Sequence, residues 1–152
     1  MEQPRESVRS VIRRWFEDIF TRGDLSAVDD IVAADLVAHG PGDHPGNRGI
    51  EAFKDWLRWY RVSFTDPEWT VHDIIASGDK IVVRYSGTTT YRGGLLDIPS
   101  KNQRVVETGI LIMRIENGRV KELWSEMSDL QMVQQLGALP APDPAEEKAP
   151  DR

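Results

Sequence analysis

Few side chains in this 152-residue sequence can move a proton near neutral pH, and they lie far apart. There are three histidines, His39, His44 and His72, and no cysteine. Imidazole is the side chain whose ordinary pKa lies closest to neutrality. His39 stands just before the Gly/Pro-rich stretch "GPGDHPGNRG". It reads either as a proton donor or hydrogen-bonding group toward a ligand carbonyl, or as a loop-mouth histidine with a local partner. His44 follows Asp43, but sequence neighbours do not point at each other, so the pair reads as solvated turn chemistry. Glu107 sits in "VVETGILIM". A carboxyl there becomes a usable acid or base where burial raises its pKa. The alternative is a partly solvated rim glutamate at the start of a strand, which the sequence favours. His72 and Asp73 lie on an earlier β-like stretch, where a solvated face is the simpler reading. Tyr85, Thr89 and Tyr91 share one parity of their strand; a phenol there orients a carbonyl or merely packs.

Other chemistry is excluded. Without cysteine there is no disulfide, thiolate metal site or thiol nucleophile. No His-Glu-x-x-His spacing is present, "RGGLL" lacks the Lys-Ser/Thr of a phosphate loop, and Ser125 has no nucleophile-elbow motif. No metal and no cofactor is expected. The net charge of −6, with no basic tract, argues against nucleic acid as a partner. No apolar run approaches the length of a membrane span, and "MEQPRESVRS" lacks the apolar core of a secretion signal. A cytoplasmic protein that does not bind membranes is the expectation.

These residues need elements to position them. Val8, Val11, Ile12, Trp15, Phe16, Ile19 and Phe20 recur at helical spacing, with Gly23 as a stop. "LSAVDDIVAADL" repeats the pattern as a short second helix. A third is predicted over "IEAFKDWLRWYRVSF", with Ile50, Phe53, Trp56, Leu57 and Tyr60 on one side. After "TDP" the period changes. "EWTVHDIIASGDKIVVRYSGTTTY" is β-branched and aromatic, broken by "SGD". "RVVETGILIMRIENGRVKELWSEM" reads as a hairpin, since Asn-Gly favours a tight turn between strands. "SDLQMVQQLG" closes the domain as a short helix. Residues 1–137 form one predicted domain of α+β class, with helices and strands segregated. Residues 138–152 are Pro-, Ala- and charge-rich and are expected to be a disordered tail.

At "GDKIVVRYSGTT", "GILIMRIENGRVKELWSEMSD" and "QQLG" the chain resembles the SnoaL-like polyketide cyclases. That family belongs to the nuclear transport factor 2-like superfamily, with ketosteroid isomerase and limonene epoxide hydrolase. The resemblance covers residues 8 to 137. It implies a cone-shaped α+β barrel, with three N-terminal helices packed on a curved antiparallel sheet. It also implies which strand face is concave: Glu107, Gly109, Leu111 and Met113 would look in, with Leu123, Ser125 and Met127. Glu122, Trp124 and Glu126 would look out. The relatives keep a catalytic acid or His where Leu111 stands, a catalytic Asp at Ser125 and a His at Thr89. Ketosteroid isomerases have a Tyr at Phe16 and an Asp at Gly40. None of the residues found at the acid and base positions here is a competent acid or base.

The function implied is a SnoaL-like cyclase or isomerase, of lyase or isomerase type, acting on an apolar polyketide-like molecule of the kind made in antibiotic biosynthesis. Ring closure would rest mainly on folding the substrate against an aromatic wall. The expected pocket residues are Phe16, Trp56, Tyr60, Thr89, Tyr91, Leu111, Met113, Leu123, Ser125 and Met127. His39, Glu107 and Tyr85 are the candidate catalytic groups. A non-catalytic small-molecule binding domain is the alternative. An epoxide hydrolase or dehydratase would need an Asp–Arg–Asp set where Tyr85, Gly87 and Ser125 stand. The expected partner, besides the hydrophobic substrate, is a second copy of the chain, paired through the face carrying Ile110, Ile112, Arg114 and Trp124. Residues 93–103, "GGLLDIPSKNQ", are expected to form a flap over the cone mouth.

Overall fold

The computed structural model describes residues 6–40 and 48–140. The readings of Asp43, His44 and most of the tail therefore lie outside the described residues. Helix α1 (Glu6–Arg14) opens the chain. It runs directly into a π-helical segment, Trp15–Thr21, where an unbroken α-helix is predicted. The wider turn leaves its mark in the hydrogen bonds: Arg22 N–H donates to the Glu17 carbonyl at 3.0 Å, five residues back. Residues five apart then share a face, and the rings of Trp15 and Phe20 meet at 5.5 Å. The segment thus turns Trp15, Phe16 and Phe20 together toward the concave side of the sheet.

Helix α2 (Leu25–Ile31) is capped by Asp24, whose Oδ1 accepts from Ser26 N–H at 2.9 Å and Ala27 N–H at 3.4 Å. It is shorter than its sequence pattern suggests, because Val32 onward enters strand β1 (Val32–His39). Helix α3 (Ile50–Ser63) buries Phe53, Leu57 and Tyr60, one stripe at helical spacing. Strands β2 (Phe64–Ser77), β3 (Lys80–Tyr91), β4 (Arg104–Glu116) and β5 (Arg119–Met127) follow. Helix α4 (Asp129–Gln135) ends the described fold.

The sheet order is β1-β5-β4-β3-β2 and the sheet is open. It is mixed rather than purely antiparallel: β1 runs parallel to β5, while β2 to β5 form an antiparallel meander. Asn117 and Gly118 turn the β4–β5 hairpin at positive φ, 53° and 76°, as a tight Asn-Gly turn requires. Alternation along β4 is regular. Val105, Glu107, Gly109, Leu111 and Met113 are buried, while Val106, Thr108 and Ile110 are exposed.

The core lies between the concave face and α1 to α3, with Ile12, Ile19, Val28, Leu57, Val83 and Met113 among its most buried side chains. A second cluster, around Tyr60, Phe64, Tyr91, Val105, Met132 and Leu136, joins α3 and α4 to the far end of the sheet. Tyr91 has a further task. Its hydroxyl accepts from Leu95 N–H at 3.1 Å and donates to the Ile98 carbonyl at 2.7 Å, and its own carbonyl accepts from Ser100 Oγ at 2.8 Å. The segment expected to act as a flap is thus fastened to the core, by the Tyr91 phenol, by Ser100, and by Leu95 and Ile98 packed on the second cluster. Tyr91→Phe keeps the ring but strips partners from two backbone groups, each a loss of about 1–3 kcal/mol when left unsatisfied. The variant should unfold at lower urea, with cleavage by a protease concentrated in residues 93–103. An unchanged midpoint and cleavage pattern would show that the hydroxyl does not hold the loop.

Candidate functional site

The concave face, α3, the π-helical segment and α4 enclose a cavity of about 450 Å³, a size ordinary for small-molecule sites. Its wall is largely aromatic. Phe16 packs on Tyr85 at 5.2 Å and on Trp69 at 5.9 Å. Trp56 stacks on Tyr60 at 5.3 Å, and Tyr60 in turn on Phe64 at 5.1 Å. Trp56 remains 39% exposed, which leaves ring surface open at the mouth.

The polar floor is built by β3, β4 and α3 together. Glu107 is only 7% exposed. Its Oε1 accepts from the Tyr85 hydroxyl at 2.9 Å and its Oε2 from the Tyr60 hydroxyl at 3.3 Å. Burial pushes its carboxyl well above the ordinary range; the two phenol hydrogen bonds pull the other way, and the nearby charge of Asp129 adds to the rise. Both phenols are also raised, first by burial and then by the adjacent carboxyl, so neither is a phenolate near neutrality. The result is a carboxyl group of raised proton affinity in an aromatic chamber, oriented by two hydroxyls. Such a group can donate a proton or a strong hydrogen bond to a carbonyl oxygen. The expectation of a solvated rim glutamate is therefore corrected: Gln103 to Val105 continue the chain beyond it, and α4 covers that end of the sheet.

Two missing side chains make this arrangement possible. Tyr85 pairs across the ladder with Gly109. A Cβ added at Gly109 would lie 2.6 Å from the Tyr85 hydroxyl oxygen and 2.7 Å from its Cζ. A Cβ added at Gly87 would lie 2.2 Å from Trp69. Glycine at these positions lets two aromatic rings lie flat against the sheet.

The remaining predicted residues divide. Leu111, Leu123, Ser125 and Met127 line the cavity alongside Phe16, Trp56 and Tyr60. Ser125 Oγ donates to the His39 carbonyl at 3.3 Å. The His39 imidazole, however, turns to the convex side. The parallel register pairs Ala38 with Leu123 and His39 with Trp124, so Ala38 looks in and His39 looks out. Its ring stacks on Trp124 at 5.3 Å, and Nε2 lies 2.8 Å from Glu122. That contact, with Arg114 assisting, holds the Glu122 carboxyl below its ordinary range. Thr89, Tyr91 and Met113 do share the inward face, but they are sealed in the core rather than on the cavity wall. His72 and Asp73 are exposed, hydrogen-bonded to Ser86 at 2.7 Å and Arg84 at 2.6 Å.

Sequence reasoning passed over Trp69 and Asp129. Strand β2 shifts register between Thr65 and Glu68 and again between Val71 and Asp73, so simple alternation cannot place Trp69. Asp129 begins α4 and lines the cavity. Its place in the "MSDLQ" helix start was legible, but its direction depends on how α4 folds back over β4.

Residues 10–136 match the SnoaL-like polyketide cyclase family, and the chain belongs to it. The structure is similar to that of TsrD from Streptomyces laurentii, with 30% identity, 91% of this chain and 100% of that one covered, and a TM-score of 0.79. The fold is also shared with a SnoaL-like polyketide cyclase from Jannaschia sp. CCS1, described as putative, at 19% identity and TM-score 0.80, covering 91% and 100% of the two chains. IdmH of Streptomyces antibioticus, another protein described as a putative polyketide cyclase, shares it at 24% identity and TM-score 0.74, covering 88% and 99%. No curated protein matches the chain. No described helix is long and apolar enough to cross a membrane.

Proposed function

We propose that this protein is a cyclase or isomerase that closes a ring in a polyketide-like small molecule, with Glu107 as its proton-transfer group. The observation that carries the reading is the buried Glu107 carboxyl held between the Tyr85 and Tyr60 hydroxyls at the floor of an aromatic cavity. Family membership supports the reaction class, and the chamber supports an apolar substrate.

An intramolecular aldol-type closure uses these parts without any other reactant. The folded substrate places an enol carbon against a carbonyl carbon. Glu107 gives its proton to that carbonyl oxygen as the carbon–carbon bond forms, and the carbonyl π pair becomes the new O–H bond. The enol hydroxyl becomes a ketone and returns its proton to Glu107. Substrate and product are isomers and the carboxyl is regenerated. Tyr85 and Tyr60 hold Oε1 and Oε2 in place, so the carboxyl keeps one orientation at the cavity floor. The aromatic wall still supplies the folding that sequence alone pointed to; Glu107 adds the acid that the usual family positions lack. The test is incubation with linear polyketone substrates, followed by mass spectrometry. A product of unchanged mass that elutes apart from its linear substrate is expected, whereas a substrate retained unaltered would make the protein a binder.

We also propose a homodimer paired through the convex face. Ile110, 47% exposed, stands there on the face that carries Trp124, whose ring centroid lies 5.7 Å from Lys80 Nζ, and Val106, also 47% exposed, lies further along β4 on the same face. An apolar strip of this kind is a liability on a lone chain. Sedimentation at micromolar concentration should give twice the chain mass of 17.2 kDa. A monomer there would refute the pairing.

A further inference from the structure

The side of the cavity behind Glu107 is closed by aromatic rings, and beyond them lies a second hollow. Trp69, Gly87 and Glu107 stand side by side on three neighbouring strands, since Trp69 pairs with Gly87 and Gly87 with Glu107. Two strand spacings, roughly 10 Å, separate the backbones of Trp69 and Glu107. The indole leans across that gap over Gly87, where an added Cβ would come within 2.2 Å of its Cε3. Tyr85 joins the two, with its ring 5.8 Å from Trp69 and its hydroxyl 2.9 Å from Glu107 Oε1. Phe16, 5.9 Å from Trp69 and 5.2 Å from Tyr85, completes the wall. On its far side a groove of about 430 Å³ runs between α1, the π-helical segment and β2, floored by Ile12, Val71 and Ile74. Among the described residues, Phe16 and Trp69 alone line both spaces. Trp69 serves there by its bulk. Its Nε1 is buried with no hydrogen-bond partner, a cost that a phenylalanine would avoid. What the larger ring gains is packing against Phe16, Phe20 and Tyr85.

We propose that Phe16 and Trp69 form an end stop that decides which carbonyl of a substrate reaches Glu107. A chain that enters past Trp56 runs only a short way beyond the acid before it meets the two rings. The carbonyl that meets Glu107 is therefore one near the leading end, and the rest of the molecule lies toward the mouth, against Trp56 and Leu96. This rests on the small-molecule reading given above and narrows it to ketones that react close to one end. An internal carbonyl is rejected by length rather than by polarity.

Two isomers test it, 2-undecanone and 6-undecanone, titrated into the full chain by calorimetry. Their apolar areas are nearly equal, so a general change in cavity size affects both alike. In 6-undecanone the carbonyl carries two arms of equal length, and one of them must meet the stop. The parent should bind 2-undecanone about tenfold more tightly, the worth of roughly two methylenes kept out of the chamber. Phe16→Ala, which opens the wall into the groove, should erase the preference. Trp69→Phe should reduce it, and this variant forfeits no hydrogen bond, so it carries the test if Phe16→Ala melts too low to measure. Val71 lines the groove and not the cavity. Adding Val71→Trp to either variant fills the space behind the wall and should restore the preference of the parent. Equal binding of the two isomers by the parent overturns the proposal. So does a preference that survives in every folded wall variant, or one that stays lost with Val71→Trp in place. In each of these cases the ketones still bind, and the cavity remains a small-molecule site. If neither ketone binds the parent, both readings fall together.

Discussion

Glu107→Gln is expected to fold as the parent does and to lose about a hundred- to a thousandfold in single-turnover rate. Glutamine has nearly the same shape, and its amide can still meet the Tyr85 and Tyr60 hydroxyls that hold the carboxyl at 2.9 and 3.3 Å. It cannot give up a proton. If closure rested on substrate folding alone, the loss would be on the order of fivefold, the worth of one orienting hydrogen bond. A rate within tenfold of the parent, with melting unchanged, would return catalysis to the aromatic wall. The same carboxyl sets a sign for stability against pH. Folding raises its pKa above the ordinary 4.5, so the folded state holds a proton that the unfolded chain has released. The parent therefore loses stability as pH rises from that ordinary value through the folded one. Glutamine has no proton to lose, so the stability of Glu107→Gln relative to the parent should climb across that window. Parallel urea titrations at stepped pH measure the difference directly; a flat difference would mean the carboxyl is not perturbed by folding.

Gly109→Ala should be nearly as damaging to turnover, although position 109 carries no chemistry. A methyl group there would meet the Tyr85 hydroxyl at 2.6 Å and the ring at 2.7 Å, well inside contact distance. The ring must lift from the sheet, and its hydroxyl then leaves Glu107. Overpacking of this kind costs about 1–3 kcal/mol of stability, and the misplaced phenol should lower turnover by about tenfold to a hundredfold. A double-mutant comparison separates the two effects. In a Tyr85→Phe background, which already lacks the hydroxyl, Gly109→Ala should still destabilise but should cost little further rate. Rate losses that multiply independently would show that the glycine acts through something other than the Tyr85–Glu107 contact.

Glu107 and His39 show how far residue types and spacing reach. Helical spacing placed Phe53, Leu57 and Tyr60 on one stripe, and strict alternation put Glu107, Gly109 and Leu111 on one face with Leu123, Ser125 and Met127 opposite. Asn117-Gly118 marked the hairpin that sets the β4–β5 register. These are local matters, decided by side-chain periodicity and backbone sterics within a few residues. Depth is not local. Alternation gave Thr89, Tyr91 and Met113 the same face as Leu111, but what covers each point along a strand decided which are sealed in the core and which look into the cavity. Direction at the sheet edge is not local either. His39 turns away from the cavity because β1 pairs in parallel with β5, in a register interrupted between Val32 and Val37 that no pattern within β1 reveals. The π-helical turn that brings Trp15 onto Phe20 is chosen by packing against the sheet, since its residues suit an α-helix equally well. The Glu107 carboxyl holds its proton more tightly than an ordinary one because distant segments close over it and exclude water, while Tyr60 and Tyr85, 47 and 22 residues from it in the chain, orient its two oxygens. Proton affinity depends on the surrounding dielectric and on hydrogen bonds from distant segments, and tertiary structure alone brings those together.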